Sequence, residues 1–412
     1  MDSLRFIHAA DLHLDSPFKG LRSLPAGLFE KMEDSTYTAL KRLADTAIRE
    51  RVDFVLIAGD VFDNENRSLQ AQLRFNREMS RVAREGIDVY IMHGNHDHFS
   101  GTMNELSWPD NVHFFPPGKV KMLPFYKKDL LVAGLYGFSY QERAATENMT
   151  GYYRKEPGPL YHIGVLHGSE ETSEGHSRYA PFKTSELVEK DFDYWALGHI
   201  HKRSRLSTHP PIIYPGNLQG RHRKESGEKG FYLVEMQGPE EAAELHFHSA
   251  QAVKWSTIDL PINGLSNVTE LTGLLEEKME ETRTEGNGVL LDIRFIGDGP
   301  LHTELQEEDF LEDLASILNE GEELEDSFVW VNSWQIETVP HWNREDLAAD
   351  GHFLGDLIRA IDGFEEIEET LAPLYRHKKG RKYLPRLGET EKRQLLEDAE
   401  RLLLNELLKE MD

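Results

Sequence analysis

Five short apolar segments in the first half of the chain are each followed at once by a group of Asp, Asn or His residues. The segments are rich in Val, Ile, Leu and Tyr and show little polar alternation, which is typical of β-strands buried on both faces. In open α/β sheets, sites form at the carboxyl ends of the strands. The pattern therefore predicts a sheet edge at which acidic, amide and imidazole side chains meet.

Predicted helices alternate with these strands. Apolar residues at helical spacing predict one helix over Thr36–Arg51 and another over Leu69–Glu85, the latter with Leu73, Phe75, Met79 and Val82 on its apolar face. The predicted strands are Leu4–Ala9, Val52–Ala58, Asp88–Met92, Leu130–Leu135, Tyr161–Leu166, Tyr194–Leu197 and Ile212–Tyr214. Helices between buried strands predict an α/β layered fold with sheet at its centre.

The pattern changes near residue 253. We expect a small α+β domain over 253–339 and a mostly helical region over 340–412, following a first domain over 1–252. The predicted elements of the later regions are Trp255–Leu260, Val268–Thr282, Val289–Phe295, Asp309–Asn319, Phe328–Ile336 and the Leu-rich helix Glu389–Lys409.

The charge is divided in the same way. The chain has a formal net charge of −27, which argues against a protein that coats polyanions. Residues 1–235, however, contain 30 Lys and Arg against 32 Asp and Glu, whereas residues 236–412 contain 16 against 41. The acidity therefore belongs to the C-terminal part, and the N-terminal part remains compatible with a phosphate-bearing substrate.

The absence of cysteine excludes disulfides and thiolate metal sites. Neither a signal peptide nor an apolar run of about 18 residues, the length of a membrane span, is visible. We therefore expect a cytoplasmic protein with no membrane association.

The polar groups after the strands supply the candidate metal ligands Asp11, His13, Asp60, Asn95, His167, His199 and His201. Seven such side chains are too many for one ion and suit two divalent ions, the usual arrangement for in-line displacement at phosphorus. In Asp11-x-His13 and His199-x-His201, alternate residues of an extended segment share a face. A single motif of this kind is more often a cap or a core polar group, so the prediction depends on all of them together.

The motifs Asp11-x-His13, Gly59-Asp60, Gly94-Asn95-His96-Asp97, His167 and Gly198-His199-x-His201 resemble those of the calcineurin-like metallophosphoesterases. The flanking residues 6–14 and 59–63 are similar to those of SbcD-type bacterial DNA repair exonucleases, in particular the YhaO-like branch. The resemblance implies a four-layer β-sandwich flanked by helices, a small α+β capping domain that directs DNA to the metals, and a helical C-terminal tail.

The resemblance also implies roles for individual residues. Asp11, His13, Asp60 and His201 would hold one Mn²⁺; Asp60, Asn95, His167 and His199 would hold the second, with Asp60 bridging. A hydroxide activated by the metals would attack the phosphodiester, and His96 would assist departure of the leaving oxygen. The residues support His96 independently, because cleavage needs an acid or cation near the leaving alkoxide.

Other residues near the motifs are less clearly assigned. Asp97 would either orient His96 or have a structural role. Some family members have a second catalytic histidine at the position of Asp63, which cannot act as a cationic phosphate contact. His8, His93 and His98 are expected to pack around the site.

Two basic clusters are candidate contacts for DNA phosphates. The first follows the last ligand pair and includes Lys202, Arg203, Arg221 and Arg223. The second interrupts the acidic tail at Arg376, Lys378, Lys379, Arg381, Lys382 and Arg386. The first cluster is equally compatible with a solvated loop, and the second could contact an acidic partner instead of DNA.

The resemblance implies an ABC/SMC-type ATPase partner bound through the C-terminal helices, and a homodimer, for which the Leu69–Glu85 region is the candidate. The last helix could instead pack on its own capping domain. The predicted function is a Mn²⁺-dependent DNA exonuclease or endonuclease subunit of a repair complex. The alternatives are a phosphodiesterase or phosphatase for small molecules, and a non-catalytic scaffold in a DNA-tethering complex.

Overall fold

The computed structural model describes residues 3–18, 20–21, 24–63, 68–99, 106–143, 147–171, 179–238, 241–340, 344–349, 351, 353–364, 366–384 and 387–409. The chain divides into two compact units. The first comprises residues 1–256, 282–291 and 321–330, and the second comprises residues 257–281, 292–320 and 331–412. The three-domain division predicted from the sequence stays a prediction. Arg386 of the second basic cluster lies outside the described residues.

The described strands are β1 (Leu4–Ala9), β2 (Phe54–Ala58), β3 (Asp88–Met92), β4 (Val112–Phe114), β5 (Lys121–Lys127), β6 (Leu130–Gly137), β7 (Tyr161–His167), β8 (Tyr194–Gly198), β9 (Ser204–Thr208), β10 (Pro211–Tyr214), β11 (Gly230–Met236), β12 (Glu244–Ser249), β13 (Val253–Pro261), β14 (Gly288–Gly299) and β15 (Val329–Pro340). The described helices are α1 (Ala26–Glu50), α2 (Leu69–Arg84), α3 (Thr184–Val188), α4 (Val268–Thr282), α5 (Glu308–Leu318), α6 (Arg344–Ala349), α7 (Phe353–Asp362), α8 (Ile367–Arg376), α9 (Lys378–Tyr383) and α10 (Glu389–Lys409).

The first unit contains two six-stranded mixed sheets, with strand orders β12-β11-β1-β2-β3-β4 and β5-β6-β7-β8-β10-β9. Strands β1, β2 and β3 run parallel, as do β6, β7, β8 and β10, so their carboxyl ends lie on a common edge of each sheet. Phe6 and Leu56 of the first sheet pack in one buried cluster with Ile163 and Ala196 of the second. The two sheets therefore form a sandwich.

Helices cover the outer face of the first sheet. Ile7 and Val55 lie in a second buried cluster with Leu43 of α1 and Phe75 of α2. A third cluster covers the second sheet and includes Leu187 of α3. Alternate residues of each strand thus face two different cores, which explains the near-continuous apolar runs in the sequence. The predicted α/β sandwich flanked by helices is confirmed.

Two predictions about the helices were wrong. Helix α1 begins at Ala26 rather than Thr36, since its first turns bury Leu28 and Met32 in a further apolar cluster of this unit. In α2 the buried side includes Ala71, Phe75, Met79 and Val82, and Leu73 is about half exposed. The Ser68 hydroxyl caps α2 by accepting a hydrogen bond from the Ala71 amide at 3.1 Å.

Several strand ends also differ by one or two residues from the prediction. Strand β2 begins at Phe54 rather than Val52, because Arg51 adopts a left-handed conformation and the Asp53 carboxylate accepts the Arg5 amide. Strands β7 and β8 extend to His167 and Gly198. The short or half-exposed strands β4, β5, β9 and β12 lack the continuous apolar run on which the prediction was based.

The later elements match the predicted types. A third sheet has the strand order β13-β14-β15, and α4 buries Leu271, Leu275 and Met279 at a spacing of four residues. In the second unit, Leu404 of α10 packs with Leu354 and Ile358 of α7. The final helix thus contacts its own chain, while Leu402 and Leu403 remain exposed. None of the described helices combines the length and apolarity that a membrane span requires.

Candidate metal centre

The loops that follow β1, β2 and β8 turn sharply at the motif residues. Asp11, His13, Asp60 and His199 have φ values of +52°, +43°, +54° and +98°, a left-handed region that side chains other than glycine rarely adopt. Two loops are tied together by backbone hydrogen bonds, from the Asp11 amide to the Gly59 carbonyl at 3.0 Å and from the His13 amide to the Asp60 carbonyl at 3.1 Å. Such strained conformations cluster at functional sites.

Asp11, His13 and His201 form the first group of converging side chains. The Nε2 atoms of His13 and His201 lie 3.0 Å apart, and Asp11 Oδ1 lies 3.9 Å from His201 Nε2. Both oxygens of Asp11 also accept the His199 amide, at 3.1 and 3.0 Å. Asp11 and His13 are fully buried, and His201 is partly exposed.

Asp60, His167 and His199 form the second group, which Asn95 joins. Asn95 Oδ1 lies 3.0 Å from His167 Nε2 and 3.1 Å from His199 Nδ1. Asp60 Oδ2 lies 3.3 Å from His167 Nε2 and 3.8 Å from His13 Nε2. Asp60 therefore lies between the two groups. The structure brings together all of the side chains that the sequence singled out as ligands.

Hydrogen bonds orient two of the histidines. His167 Nδ1 lies 2.9 Å from the Ala58 carbonyl oxygen, and His201 Nδ1 lies 2.6 Å from Glu225 Oε1. Each Nδ1 is therefore placed to donate a hydrogen bond. A neutral imidazole that donates from Nδ1 turns its Nε2 lone pair towards the other polar groups of the site. The site thus directs several acceptor atoms at one another, an arrangement that suits a cation between them.

Gly94 keeps this space clear. A Cβ atom at Gly94 would lie 2.8 Å from His167 Nε2 and in still closer contact with Asp60 Oδ1. Real Cβ atoms do not approach other atoms so closely, so a side chain at Gly94 would fill the space between these ligands. The need for a small residue explains the glycine that precedes Asn95.

The charges of the site influence one another strongly. Burial raises the pKa of Asp11 to about 6, against the opposing effect of His201 and His167. Burial also favours the neutral form of Asp60, but the adjacent His167 and His13 hold its pKa well below the usual value. Burial lowers the pKa of His167, and Asp60 more than offsets this and raises it to about 9. Asp60 is therefore ionised at neutral pH, as a metal ligand must be, and His167 would release its proton when a metal ion binds.

His96 lies beside both groups without belonging to the ligand clusters of Asp11 or Asp60. Its ring centroid is 5.0 Å from that of His13, and its amide donates to Asp60 Oδ1 at 2.9 Å. His96 Nδ1 lies 3.6 Å from Asp63 Oδ1, and the side chain is 30 % exposed. Burial lowers the pKa of His96, but Asp63 and Asp60 raise it above its ordinary value.

The Asp97 carboxylate contacts backbone amides and His93 rather than the ring of its neighbour His96. The carboxylate is fully buried and accepts the Val61 amide at 2.8 Å and the Gly94 amide at 2.6 Å. It also lies 3.3 Å from His93 Nδ1. Asp97 thus holds the backbone of two loops, and Asp63 is the carboxylate that faces His96.

The first basic cluster is only partly directed at the site. Arg221 donates to Asp63 Oδ2 at 2.9 Å and lies 3.9 Å from Glu225 Oε1, so carboxylates of the protein engage it. Arg203 stacks on Phe247 with 3.8 Å between its guanidinium carbon and the ring centroid. Lys202 and Arg223 are exposed. Contact of these side chains with phosphate stays a prediction.

Sequence analysis missed Asp63 and Glu225 as parts of the site. Asp63 was interpreted only as the replacement of a histidine. Glu225 follows a polar loop whose sequence is typical of an exposed surface segment. It contacts His201, which lies 24 residues earlier in the chain. His8, buried against the Tyr194 hydroxyl and the Leu197 carbonyl, packs near the site as expected.

Comparison with known proteins agrees with this geometry. Residues 4–203 match the family model of the calcineurin-like phosphoesterases, and residues 255–339 match that of the middle domain of metallophosphoesterase YhaO. The chain is 39% identical to the uncharacterized metallophosphoesterase YhaO of Bacillus subtilis over 100% of both chains. The chain belongs to the YhaO metallophosphoesterase family. As a member of this family it is a metal-dependent phosphoesterase, and its clusters of His and Asp support the binding of divalent metals.

More distant relatives include DNA repair proteins. The DNA double-strand break repair protein Mre11 of Sulfurisphaera tokodaii is 25% identical over 58% of this chain and 61% of its own length. One subunit of the nuclease SbcCD of Escherichia coli is 25% identical over 52% of this chain and 60% of its own length.

Proposed function

We propose that this protein is a two-metal, Mn²⁺-dependent phosphodiesterase that cleaves DNA as the exonuclease or endonuclease subunit of a repair complex. The observation that carries the proposal is the position of Asp60 between two donor groups, with His96 beside them. The similarity to the DNA double-strand break repair protein Mre11 and to a subunit of the nuclease SbcCD supports DNA as the substrate.

The donor set fits two divalent ions. Asp11, His13 and His201 would hold one ion, and Asn95, His167 and His199 the other, with Asp60 shared between them. Mixed imidazole and oxygen donors suit divalent first-row metals, including Mn²⁺. When bound, the ions would polarise the phosphoryl oxygens and make a water molecule a strong nucleophile.

His96 would act on the leaving group. Its backbone amide donates a hydrogen bond to Asp60 Oδ1, which fixes the backbone of His96 beside the ligands, and Asp63 faces its Nδ1. Because these carboxylates raise the pKa of His96, its imidazole is protonated in a larger fraction of the molecules near neutral pH than an ordinary histidine would be. A protonated imidazole at this place can transfer a proton to the departing alkoxide oxygen of DNA.

The engagement of Arg221 favours a diester over a monoester. A phosphomonoester dianion needs one more positive charge than a diester, and an arginine fork is the usual partner for it. Arg221 Nη1 donates to Asp63 Oδ2 at 2.9 Å, and its Nη2 lies 3.9 Å from Glu225 Oε1. This favours phosphodiester cleavage over a small-molecule phosphatase.

Exposed leucines are candidates for partner surfaces. Leu402 and Leu403 of α10 are exposed, which supports an ATPase partner that binds the C-terminal helices. Leu69 and Leu73 of α2 are about half exposed and would serve a homodimer. The acidity of residues 236–412 argues that a partner supplies much of the basic surface for DNA.

An assay of the purified full-length chain on end-labelled linear double-stranded DNA tests this proposal. We expect DNA cleavage with Mn²⁺, none with a chelator, and restoration on adding Mn²⁺ back. His96→Ala, which leaves the ligands in place, is the matched control for a contaminating nuclease. Failure of the wild-type chain to cleave any DNA under these conditions would overturn the proposal.

A further inference from the structure

The imidazole of His201 has a carboxylate partner that no ligand motif predicts. His201 Nδ1 lies 2.6 Å from Glu225 Oε1, and the Glu225 side chain is only 8 % exposed. A buried carboxylate is costly unless it is hydrogen-bonded, so this contact is a built feature of the site.

The segment around Glu225 holds that carboxylate in place. Glu225 Oε2 accepts the Arg221 amide at 2.8 Å and the Asn217 side-chain amide at 2.9 Å. The nearly buried Lys229 donates from Nζ to the His201 carbonyl at 3.0 Å. Residues 217–229 thus contact both the imidazole ring and the backbone carbonyl of His201.

His167 provides an internal comparison. Its Nδ1 lies 2.9 Å from a neutral backbone carbonyl, that of Ala58, whereas the Nδ1 of His201 faces a carboxylate. The Glu225 carboxylate also lies 3.9 Å from the Arg221 guanidinium. A carboxylate that accepts a hydrogen bond from Nδ1 raises the basicity of the imidazole as a metal ligand.

We infer that Glu225 is a positioning residue of the metal centre, which fixes His201 in the tautomer whose Nε2 faces the ion and strengthens binding of that ion selectively. The inference rests on the proposed two-metal site. Arg221 contacts both Glu225 and Asp63. It therefore connects the carboxylate that accepts from His201 with the carboxylate that lies near His96.

Calorimetric titration of the chelator-treated chain with Mn²⁺ tests this inference. For Glu225→Gln we expect one of two Mn²⁺ affinities to fall about 10–100-fold, the usual effect of losing such a partner, and the other to stay within about twofold. Gln retains the size of the side chain and an acceptor oxygen, so folding is expected to survive, and the midpoint of thermal unfolding checks this. Glu228→Gln is the matched control. Glu228 is an exposed carboxylate of the same segment, and it lies 3.9 Å from Arg203, which is not one of the metal ligands.

The same substitution made in a His199→Ala variant shows which of the two ions is affected. In His199→Ala, the remaining strong ion should lie on the His201 side, and adding Glu225→Gln should weaken it by the same factor. Unchanged affinities in Glu225→Gln, or equal weakening of both ions, would overturn the inference while leaving the proposed function intact. A wild-type chain that binds no Mn²⁺ would overturn the metal centre itself.

Discussion

His96 Nδ1 lies 3.6 Å from Asp63 Oδ1, in a position where the carboxylate stabilises the protonated ring. Asp63 is in turn fixed by Arg221, which donates to its other oxygen at 2.9 Å. From the sequence, Asp97, the neighbour of His96, could either orient His96 or have a structural role. In the structure the carboxylate near His96 Nδ1 is that of Asp63, three positions after the candidate bridging ligand Asp60.

Removal of the Asp63 charge should change the pH dependence of catalysis. If His96 acts as an acid, activity falls as pH rises through its pKa, which Asp63 raises. In Asp63→Asn the pKa of His96 is lower, so the alkaline fall in kcat/KM on DNA should begin at a lower pH than in the wild type. A pH profile of both proteins measures this, and coincident alkaline limbs would contradict the role of Asp63.

Loss of His96 should affect DNA more than an activated substrate. We expect His96→Ala to reduce cleavage of DNA by about 10²–10⁴-fold, the usual contribution of general acid catalysis. The loss on bis-p-nitrophenyl phosphate should be much smaller, because nitrophenolate departs without a proton. Elemental analysis should find wild-type metal content in the variant. An equal loss on both substrates would show that His96 does not act on the leaving oxygen.

Replacement of Asn95 should remove one metal rather than both. Asn95 Oδ1 lies 3.0 Å from His167 Nε2 and 3.1 Å from His199 Nδ1, in the donor group of Asp60. We expect Asn95→Ala to bind about one Mn²⁺ per chain under conditions in which the wild type binds two. Mass spectrometric metal analysis after desalting checks this, and retention of full occupancy would exclude Asn95 as a ligand.

Asp97 should contribute to stability rather than to the chemical step. Asp97→Ala leaves the Val61 and Gly94 amides without their acceptor in a buried place, at a cost of roughly 1–3 kcal/mol for each unpaired group. Urea unfolding should show this loss. The kcat of the protein that remains folded should keep its wild-type pH profile, and a shifted profile with unchanged stability would reverse the assignment.

The sequence was sufficient to predict the layers of the fold and the gathering of the ligands. Strands buried on both faces leave a continuous apolar run, and parallel strands bring their carboxyl ends to one edge, so Asp11 and Asp60 could be placed together from position alone. His167 ends β7 of the second sheet, and its approach to Asp60 depends on the packing of the two sheets. The half-exposed edge strands, such as β12, leave no such run and were missed. The length of α1 was also missed, since the partners of Leu28 and Met32 come from distant parts of the chain.

The residues that tune the site could not be predicted in this way. Glu225 and Arg221 reach His201 and Asp63 through the packing of a loop without periodicity, across 24 and 158 residues respectively. Arg221 was predicted as a phosphate contact because of its charge, and only the fold reveals its carboxylate partners. Ligand motifs carry a spacing that survives in the sequence, whereas the partners of the ligands are fixed by tertiary structure.

The central claim, a metal-dependent phosphodiesterase for DNA, is tested most directly by measuring kcat/KM of the full-length chain with Mn²⁺ on linear double-stranded DNA, single-stranded DNA, bis-p-nitrophenyl phosphate and p-nitrophenyl phosphate side by side. The account predicts cleavage of DNA and of the diester, with p-nitrophenyl phosphate the poorest substrate because Arg221 is held by Asp63. Efficient hydrolysis of the monoester with intact DNA in the parallel reactions would contradict it.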